Sequence, residues 1–357
     1  MSEVKFEVLS TQVICREPGR YIGWPTVVRT KDDELIAGFS GDRDQHVCPW
    51  GVTQLVRSQD GGATWSAPET ITNTPLDDRD VGIIETPEGA LLVAWFTSVV
   101  FAEPERQAAW REHYGDETVD GWAERIAAMT PELENRWLGN WTRRSEDGGK
   151  TWSEPARTIG TAPHGPNVLS DGRLLYVGRG RFRGEPVISV EESRDDGRSW
   201  QLISTIAIAA DESIDDFHEP HVVETADGKL VAMIRYQPKD RQNHYMRQAE
   251  SADGGYNWTE AHATNLYGLP PHLLCLENGY LVVVYGRRIP PFGERAAISR
   301  DGGATWEGDF EISSGMNGDL GYPASTQLAD GSILTVYYQI AEEGQKTSLM
   351  STRWRLL

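Results

Sequence analysis

The sequence is short of the residues that disulfide scaffolds, metal centres and membrane spans require. Its 357 residues contain three cysteines, Cys15, Cys48 and Cys275, odd in number and widely spaced. That excludes a disulfide framework and a zinc-finger spacing, and points to a reducing compartment. Cationic side chains are few: 34 Lys and Arg face 54 Asp and Glu, for a formal charge of −20, with an isoelectric point near 4.8. A field of that sign repels polyanions, so neither nucleic acid nor an anionic membrane is an expected partner, and an acidic small substrate needs a local basic pocket. No apolar run approaches the ~18 residues of a membrane span, and the start, MSEVKFEVLSTQV, lacks a basic segment followed by an apolar one. The expectation is a soluble cytoplasmic protein, or a secreted one if a leader has been removed. His164, His218 and His221 have no tight zinc-ligand spacing. Neither a metal nor a cofactor is expected.

What the chain has is repetition. An eight-residue pattern, Ser-x-Asp-x-Gly-x-x-Trp, begins at Ser58 (SQDGGATW), Ser145 (SEDGGKTW), Ser193 (SRDDGRSW), Ser251 (SADGGYNW) and Ser299 (SRDGGATW). Asp and Gly stand where a tight hairpin needs side-chain-to-backbone bonds and a positive φ, and Trp can fold back as a plug between units. The pattern resembles the Asp box of the sialidase (neuraminidase) superfamily, where it is a structural turn away from the active site. The resemblance implies that Asp60, Asp147, Asp195, Asp253 and Asp301 are structural.

Between boxes a second theme recurs, an apolar run, an Asp-Gly-like turn and another apolar run. It is seen in WPTVVRTKDDELIAGFS, VGIIETPEGALLVAWF, GPNVLSDGRLLYVGR, EPHVVETADGKLVAMIR, PHLLCLENGYLVVVYGR and YPASTQLADGSILTVYY. Six hairpins, each completed by the strands around the following box, predict an all-β fold, a single six-bladed propeller over residues 1–357. The sixth hairpin has no box after it. KTSLMSTRW supplies its third strand, and KFEVLSTQVIC is expected to close the ring as the fourth, leaving no long open edge. The long interval between the first two boxes holds an extra segment, 102–135, helical by residue type, after the second strand of blade 2. It reads as a lid or subsite wall, or as packing against a neighbouring blade or subunit.

The first strands of propeller blades line the channel, and their starts, GWP, DVG, HGP, HEP, PPH and GYP, rim one mouth, where converging polar groups are sought. Here the resemblance extends to residues. A Glu opening blade 4 and an Arg ending its second strand are matched by Glu219 and Arg235, and a Tyr opening the last blade by Tyr322. The resemblance implies that Tyr322 is the nucleophile, Glu219 its base and Arg235 part of a clamp on a sugar carboxylate. A neutral phenol is not repelled by an anomeric carbon bearing a carboxylate, and with a pKa near ~10 it needs an adjacent base. For the blade 5 clamp the candidates among Arg287, Arg288 and Arg295 are Arg295 and Arg288, since an Arg fork binds a carboxylate through two parallel bonds.

The chain departs from the family in two places. Gly23-Trp24-Pro25 stands where the family has Arg-Ile-Pro, leaving Arg43 or Arg79 as substitutes for the first clamp arginine. In the loop GDRDQHVCPWG, which corresponds to the loop of the family's acid/base Asp, His46 lies nearest that position, with Asp42 and Asp44 upstream. His46 is the expected acid, because an ordinary imidazole exchanges protons near neutrality, and Asp44 is the alternative. Trp24, Asp80 and His164 are expected to touch the sugar, and Trp50, His221 and His272 fall near the rim. The resemblance implies an exo-glycosidase removing a terminal acidic sugar, sialic acid or a relative. Three rivals remain: a uronate lyase using Tyr322 and His46, a hydrolase of another terminal sugar, and a non-catalytic glycan-binding propeller.

Overall fold

Each pair of apolar runs folds as an antiparallel hairpin because the turn between them has its chemistry in place. At the blade 4 turn, Thr225 N–H donates to the Lys229 carbonyl at 2.8 Å and Gly228 takes φ +83°, a conformation Gly adopts without a Cβ penalty. In the computed structural model, which describes residues 4–357, six such hairpins each belong to a separate antiparallel sheet. Residues 1–3, included in the expected 1–357 domain, lie outside the described residues.

Blade 1 is built from Tyr21–Arg29, Leu35–Arg43, Val52–Ser58 and Glu69–Thr72, and blade 2 from Asp77–Glu85, Leu91–Ser98, Asn140–Ser145 and Ala156–Thr158. In blade 3 the inner strand is split into Gly160–Thr161 and Asn167–Val168, both paired with Leu174–Phe182; Glu185–Ser193 and Gln201–Ile206 follow. Blades 4 and 5 are Phe217–Glu224, Leu230–Tyr236, Tyr245–Ser251, His262–Tyr267 and Pro271–Cys275, Leu281–Arg287, Gly293–Ser299, Glu307–Ser314. Blade 6 comprises Gly321–Gln327, Ile333–Ile340 and Thr347–Leu356, and Phe6–Cys15 completes it, with Phe6 opposite Leu356 and Cys15 opposite Leu349. The fold is a six-bladed β-propeller.

Ile14 and Cys15 join the apolar cluster of Tyr21, Val27, Val336 and Leu349, so the closing strand ties blade 6 to blade 1. Deleting residues 4–15 exposes the full edge of Thr347–Leu356 and is expected to lower the thermal midpoint by several degrees and cause aggregation. Circular dichroism with light scattering checks this, and an unchanged, soluble variant would contradict the closure.

The boxes turn between third and fourth strands. In the first, Gly62 N–H donates to Ser58 Oγ at 2.9 Å, Thr64 N–H to Asp60 Oδ1 at 2.9 Å, and Trp65 Nε1 to the Gly62 carbonyl at 3.1 Å. Bonds from Thr64 and Ser58 hold the Asp60 carboxyl down at about 2. Two box tryptophans bond across blades, Trp200 to Thr142 Oγ1 at 2.9 Å and Trp306 to Gln248 Oε1 at 2.7 Å. Leu35 lies opposite Ser58, which puts the box beside the inner turn, at the end of the blade away from Trp24. All three cysteines are free.

The connection from Leu91–Ser98 to Asn140–Ser145 carries four short helices, Gln107–Tyr114, Asp116–Gly121, Ala123–Ala128 and Pro131–Trp137. Phe101, Val119 and Trp122 bury themselves with Val47, and the Val47 N–H donates to Tyr114 Oη at 3.2 Å. The insertion thus packs on the blade 1 loop that carries His46.

Candidate active site

Four inner strands break register at the same mouth, between Gly23 and Thr26, Arg79 and Gly82, His218 and Pro220, and Gly321 and Ala324. Within each slip one side-chain-bearing residue takes a left-handed backbone: Trp24 (φ 54°), Asp80 (52°), Glu219 (35°) and Tyr322 (51°). Such a conformation costs ~1–3 kcal/mol per residue, and a bulge re-aims the side chain it carries. Blades 1, 2, 4 and 6 thus each place one functional candidate at the mouth by the same device.

Tyr322 and Glu219 meet there. Tyr322 Oη donates a short hydrogen bond to Glu219 Oε1, and Arg235 Nη1 donates both to Glu219 Oε2 and, at 3.2 Å, to Tyr322 Oη. Arg235 is otherwise occupied by Gln237 Oε1, 3.0 Å from its Nε. It therefore organises the Tyr–Glu pair as much as it offers a fork to a ligand. Arg288 lies over the Tyr322 ring, 5.5 Å from its centroid, with Nε on the Leu320 carbonyl at 2.8 Å and Nη2 on Tyr338 Oη at 3.2 Å.

The two carboxyl groups are driven apart. Burial would raise Glu219, but the charge of Arg235 and the bonds from Tyr322 and Arg235 bring it below the usual range. Asp80 goes the other way, to about 7: burial dominates, the Glu219 charge adds to it, and the guanidiniums of Arg79, Arg43 and Arg235 oppose. Burial and the charges of Glu219 and Asp80 push the Tyr322 phenol well above its ordinary value, so it is neutral until a base takes its proton.

Other expected site residues are placed differently. His46 is a neutral imidazole, not an imidazolium, at neutral pH: burial, then the charges of Arg79, Arg43, Arg288 and Arg235, hold its pKa well below the usual range. Asp44 is tied to Arg20 and to Trp50 Nε1. Trp24 is fully buried, packed under the guanidiniums of Arg79 (4.6 Å from its ring) and Arg43 (4.9 Å), so it offers no open face for stacking on a sugar. His164 is buried in the channel beneath the mouth, Nδ1 3.0 Å from Thr26 Oγ1, its ring packed against His221 and His272. Arg295 lies on the third strand of blade 5 and pairs with Glu311 at 2.9 Å, two strands out from the channel, so it is not brought to the Tyr–Glu pair.

Arg43 is not free for a ligand either. It and Asp77 are both wholly buried and joined through two bonds, 2.6 and 2.8 Å, and its Nη2 also donates to the His46 carbonyl at 3.0 Å. Replacing Arg43 with Met leaves the buried Asp77 carboxylate with only a longer bond to Arg79, and the expected loss is about 3 kcal/mol in urea unfolding at pH 7. An unchanged midpoint would refute the structural role. Arg79, the other substitute considered for the clamp, bonds the same His46 carbonyl at 3.1 Å and Asp77 at 3.4 Å.

Three residues of the site were not singled out by sequence: Tyr21, Asp319 and Tyr338. Asp319 Oδ1 accepts from Tyr21 Oη at 2.8 Å and Tyr338 Oη at 3.2 Å, and His46 Nδ1 lies 3.1 Å from Tyr21 Oη. A signal existed for Tyr338, which faces Gly321 just as Arg235 faces His218, in each case beside the residue preceding the bulged side chain.

A cavity of about 120 Å³ lined by Gln237, His244, Tyr267 and Arg288 adjoins the site. A wider hollow of about 500 Å³ around Glu212, Tyr236 and Arg247 contains none of the Tyr322 cluster. Among the described residues, no group of three or more His, Cys, Asp or Glu is placed to hold a metal ion, and no helix is long and apolar enough to cross a membrane.

A family model described as a BNR repeat-like domain matches residues 117–335. No curated protein matches the sequence. Among solved structures, the chain is similar to a protein of unknown function from Dyadobacter fermentans, at 23% identity over 99% of each chain with a TM-score of 0.78. It is also similar to the intramolecular trans-sialidase from Ruminococcus gnavus, at 14% identity over 98% of each chain, TM-score 0.65. A third is an α-L-arabinanase from Penicillium chrysogenum, at 15% identity over 97% of this chain and 98% of that one, TM-score 0.62. At these identities the likeness is one of fold.

Proposed function

The chain belongs to the BNR repeat-like family, with a sialidase-like propeller, and on that premise we propose that it is an exo-acting glycoside hydrolase releasing a terminal acidic sugar from a glycan. The observation that carries the reading is the cluster at the mouth, in which Tyr322 Oη donates to Glu219 Oε1 and Arg235 Nη1 bonds both of them; around it Glu219 is lowered and Asp80 raised to about 7. Titratable groups pushed in opposite directions are the mark of a base and an acid in one site.

In the first step Glu219 takes the Tyr322 proton along their hydrogen bond, and the phenolate attacks the anomeric carbon. Arg235 stabilises the developing charge on Oη through its 3.2 Å bond, as does the Arg288 guanidinium over the ring. Asp80, protonated, gives its proton to the leaving oxygen. In the second step Asp80, now ionised, takes a proton from water as its oxygen attacks the anomeric carbon, the bond from the sugar to Tyr322 Oη breaks, and Glu219 returns its proton to the departing phenolate, which restores the starting state. Arg288 and Arg79 are the guanidiniums nearest to hand for the sugar carboxylate, since Arg235 is shared with Glu219 and Gln237 and Arg43 is locked to Asp77.

The test is a panel of 4-methylumbelliferyl glycosides that includes N-acetylneuraminic acid, glucuronic acid and neutral sugars. Release from an acidic glycoside is expected. Release from neutral glycosides alone, or an unsaturated ultraviolet-absorbing product from uronate-containing glycans, would overturn the reading, the latter in favour of a lyase.

A further inference from the structure

The proposed chemistry leaves His46 without a role, yet the structure holds its ring with care. Its carbonyl accepts from Arg43 and Arg79, its ring stands edge-on to Trp24 at 4.9 Å and 89°, and its Nδ1 meets Tyr21 Oη. The hydrogen-bond directions are constrained. Tyr21 gives its proton to Asp319 Oδ1 at 2.8 Å, and burial together with the charges of Tyr338 and Asp319 keeps that proton on the phenol. Its oxygen can then only accept from His46. Nδ1 must therefore carry the imidazole hydrogen. A neutral imidazole has only one, so Nε2 is a bare lone pair, and among the described residues nothing in the protein bonds to it.

We infer that Asp319 and Tyr21 fix His46 in its Nδ1–H form so that Nε2 is a standing acceptor for a hydroxyl or amide N–H of the bound sugar. This rests on the glycosidase reading for the ligand but not for the tautomer. The consequence is directional recognition. The cationic side chains around the mouth, Arg79, Arg235 and Arg288, are all donors. A ligand carboxylate, which has no proton to offer, is welcome at the guanidiniums and repelled by the Nε2 lone pair. A hydroxyl or amide donor is satisfied at Nε2. His46 thereby sets which edge of an acidic sugar faces blade 1, and Tyr21 and Asp319 act as positioning residues through it.

Nitrogen NMR of the full chain labelled with ¹⁵N-histidine tests this, with the His46 signals identified by their loss in His46→Gln. At pH 7 the free protein is expected to show a protonated Nδ1 and a bare Nε2; the reverse pattern overturns the inference. Tyr21→Phe should abolish that fixed pattern and weaken sugar binding about tenfold, the scale of one hydrogen bond. Asp319→Asn keeps an acceptor oxygen for Tyr21 and should preserve both. A Tyr21→Phe protein with the wild-type pattern and affinity overturns the inference, and if that variant does not fold, the wild-type pattern alone decides. N-acetylneuraminic acid and glucuronic acid are then added in turn, with binding read separately by calorimetry. A bound sugar is expected to move the Nε2 resonance, and binding that leaves it still counts against the acceptor role. If neither sugar binds, the proposed function fails, while the free-protein tautomer still supports or overturns the lock.

Discussion

Tyr322→Phe is expected to lower turnover on the order of 10⁴-fold, with little change in unfolding midpoint. The substitution removes one oxygen. The ring keeps its neighbours, Trp24 at 6.3 Å, His164 at 6.2 Å and Tyr338 at 6.0 Å between centroids. Arg235 still pairs with Glu219 when Oη is gone, so no buried charge is stranded and the fold has no reason to suffer. What disappears is the proposed nucleophile and, with it, the covalent route. Glu219→Gln should be nearly as damaging to activity, because an amide cannot take the phenol proton. It should also cost stability, since Arg235 loses its counter-charge in a buried site. The pair of variants separates chemistry from packing: initial rates on an acidic aryl glycoside, set beside thermal melts, should show Tyr322→Phe inactive and stable, and Glu219→Gln inactive and less stable. Retained turnover in Tyr322→Phe would remove Tyr322 from the mechanism.

The parts of this arrangement that sequence could show are those fixed by local pattern. Glu219 and Tyr322 each precede the Asp of their own inner turn, Asp227 and Asp330, by the same spacing. Two inner strands that each run into a like turn at the same spacing put their starts at the same mouth. The boxes likewise announce their own hydrogen bonds, because Ser, Asp, Gly and Trp act within one turn of chain. What sequence could not show was depth. Arg43, Arg79 and Arg295 look alike as letters, yet Arg43 is sealed against Asp77, Arg79 lies over Trp24, and Arg295 sits two strands from the channel. The alternation of a strand says which face a side chain takes, not how far out in the blade it lies.

Titration was equally hidden. His46 is an ordinary imidazole by composition. It is held neutral by burial and by guanidiniums from blades 1, 2, 4 and 5, a field assembled by closure of the ring. Asp80 is raised by burial and by Glu219, a residue of another blade. The acid expected in the blade 1 loop is therefore better sought on the first strand of blade 2. The bulges themselves also escaped notice, although they are what turns Asp80, Glu219 and Tyr322 out of the regular strand alternation.

Asp80→Asn is expected to cut hydrolysis of natural glycosidic linkages by ~10²–10⁴-fold while impairing activated aryl glycosides far less. An alkoxide leaving from a sugar needs a proton in the transition state, and an aryl oxide barely does. The pH profile supplies the independent check. A general acid works in its protonated form, and burial with the Glu219 charge lifts Asp80 to about 7. Wild-type kcat/KM on a glycan should therefore hold below that value and fall as pH rises through it. In the proposed mechanism Glu219 must be ionised to take the phenol proton, and its lowered pKa puts the expected acid-side loss beneath the ordinary carboxylate range. Asn cannot titrate, so the alkaline fall should vanish in Asp80→Asn, leaving a low, flat rate on glycans. If that limb persists in the variant, or if both substrate types lose equally, Asp80 only positions the sugar. Asp44 would then be the next candidate acid, because His46, already a neutral imidazole, is too weak an acid to protonate a leaving oxygen.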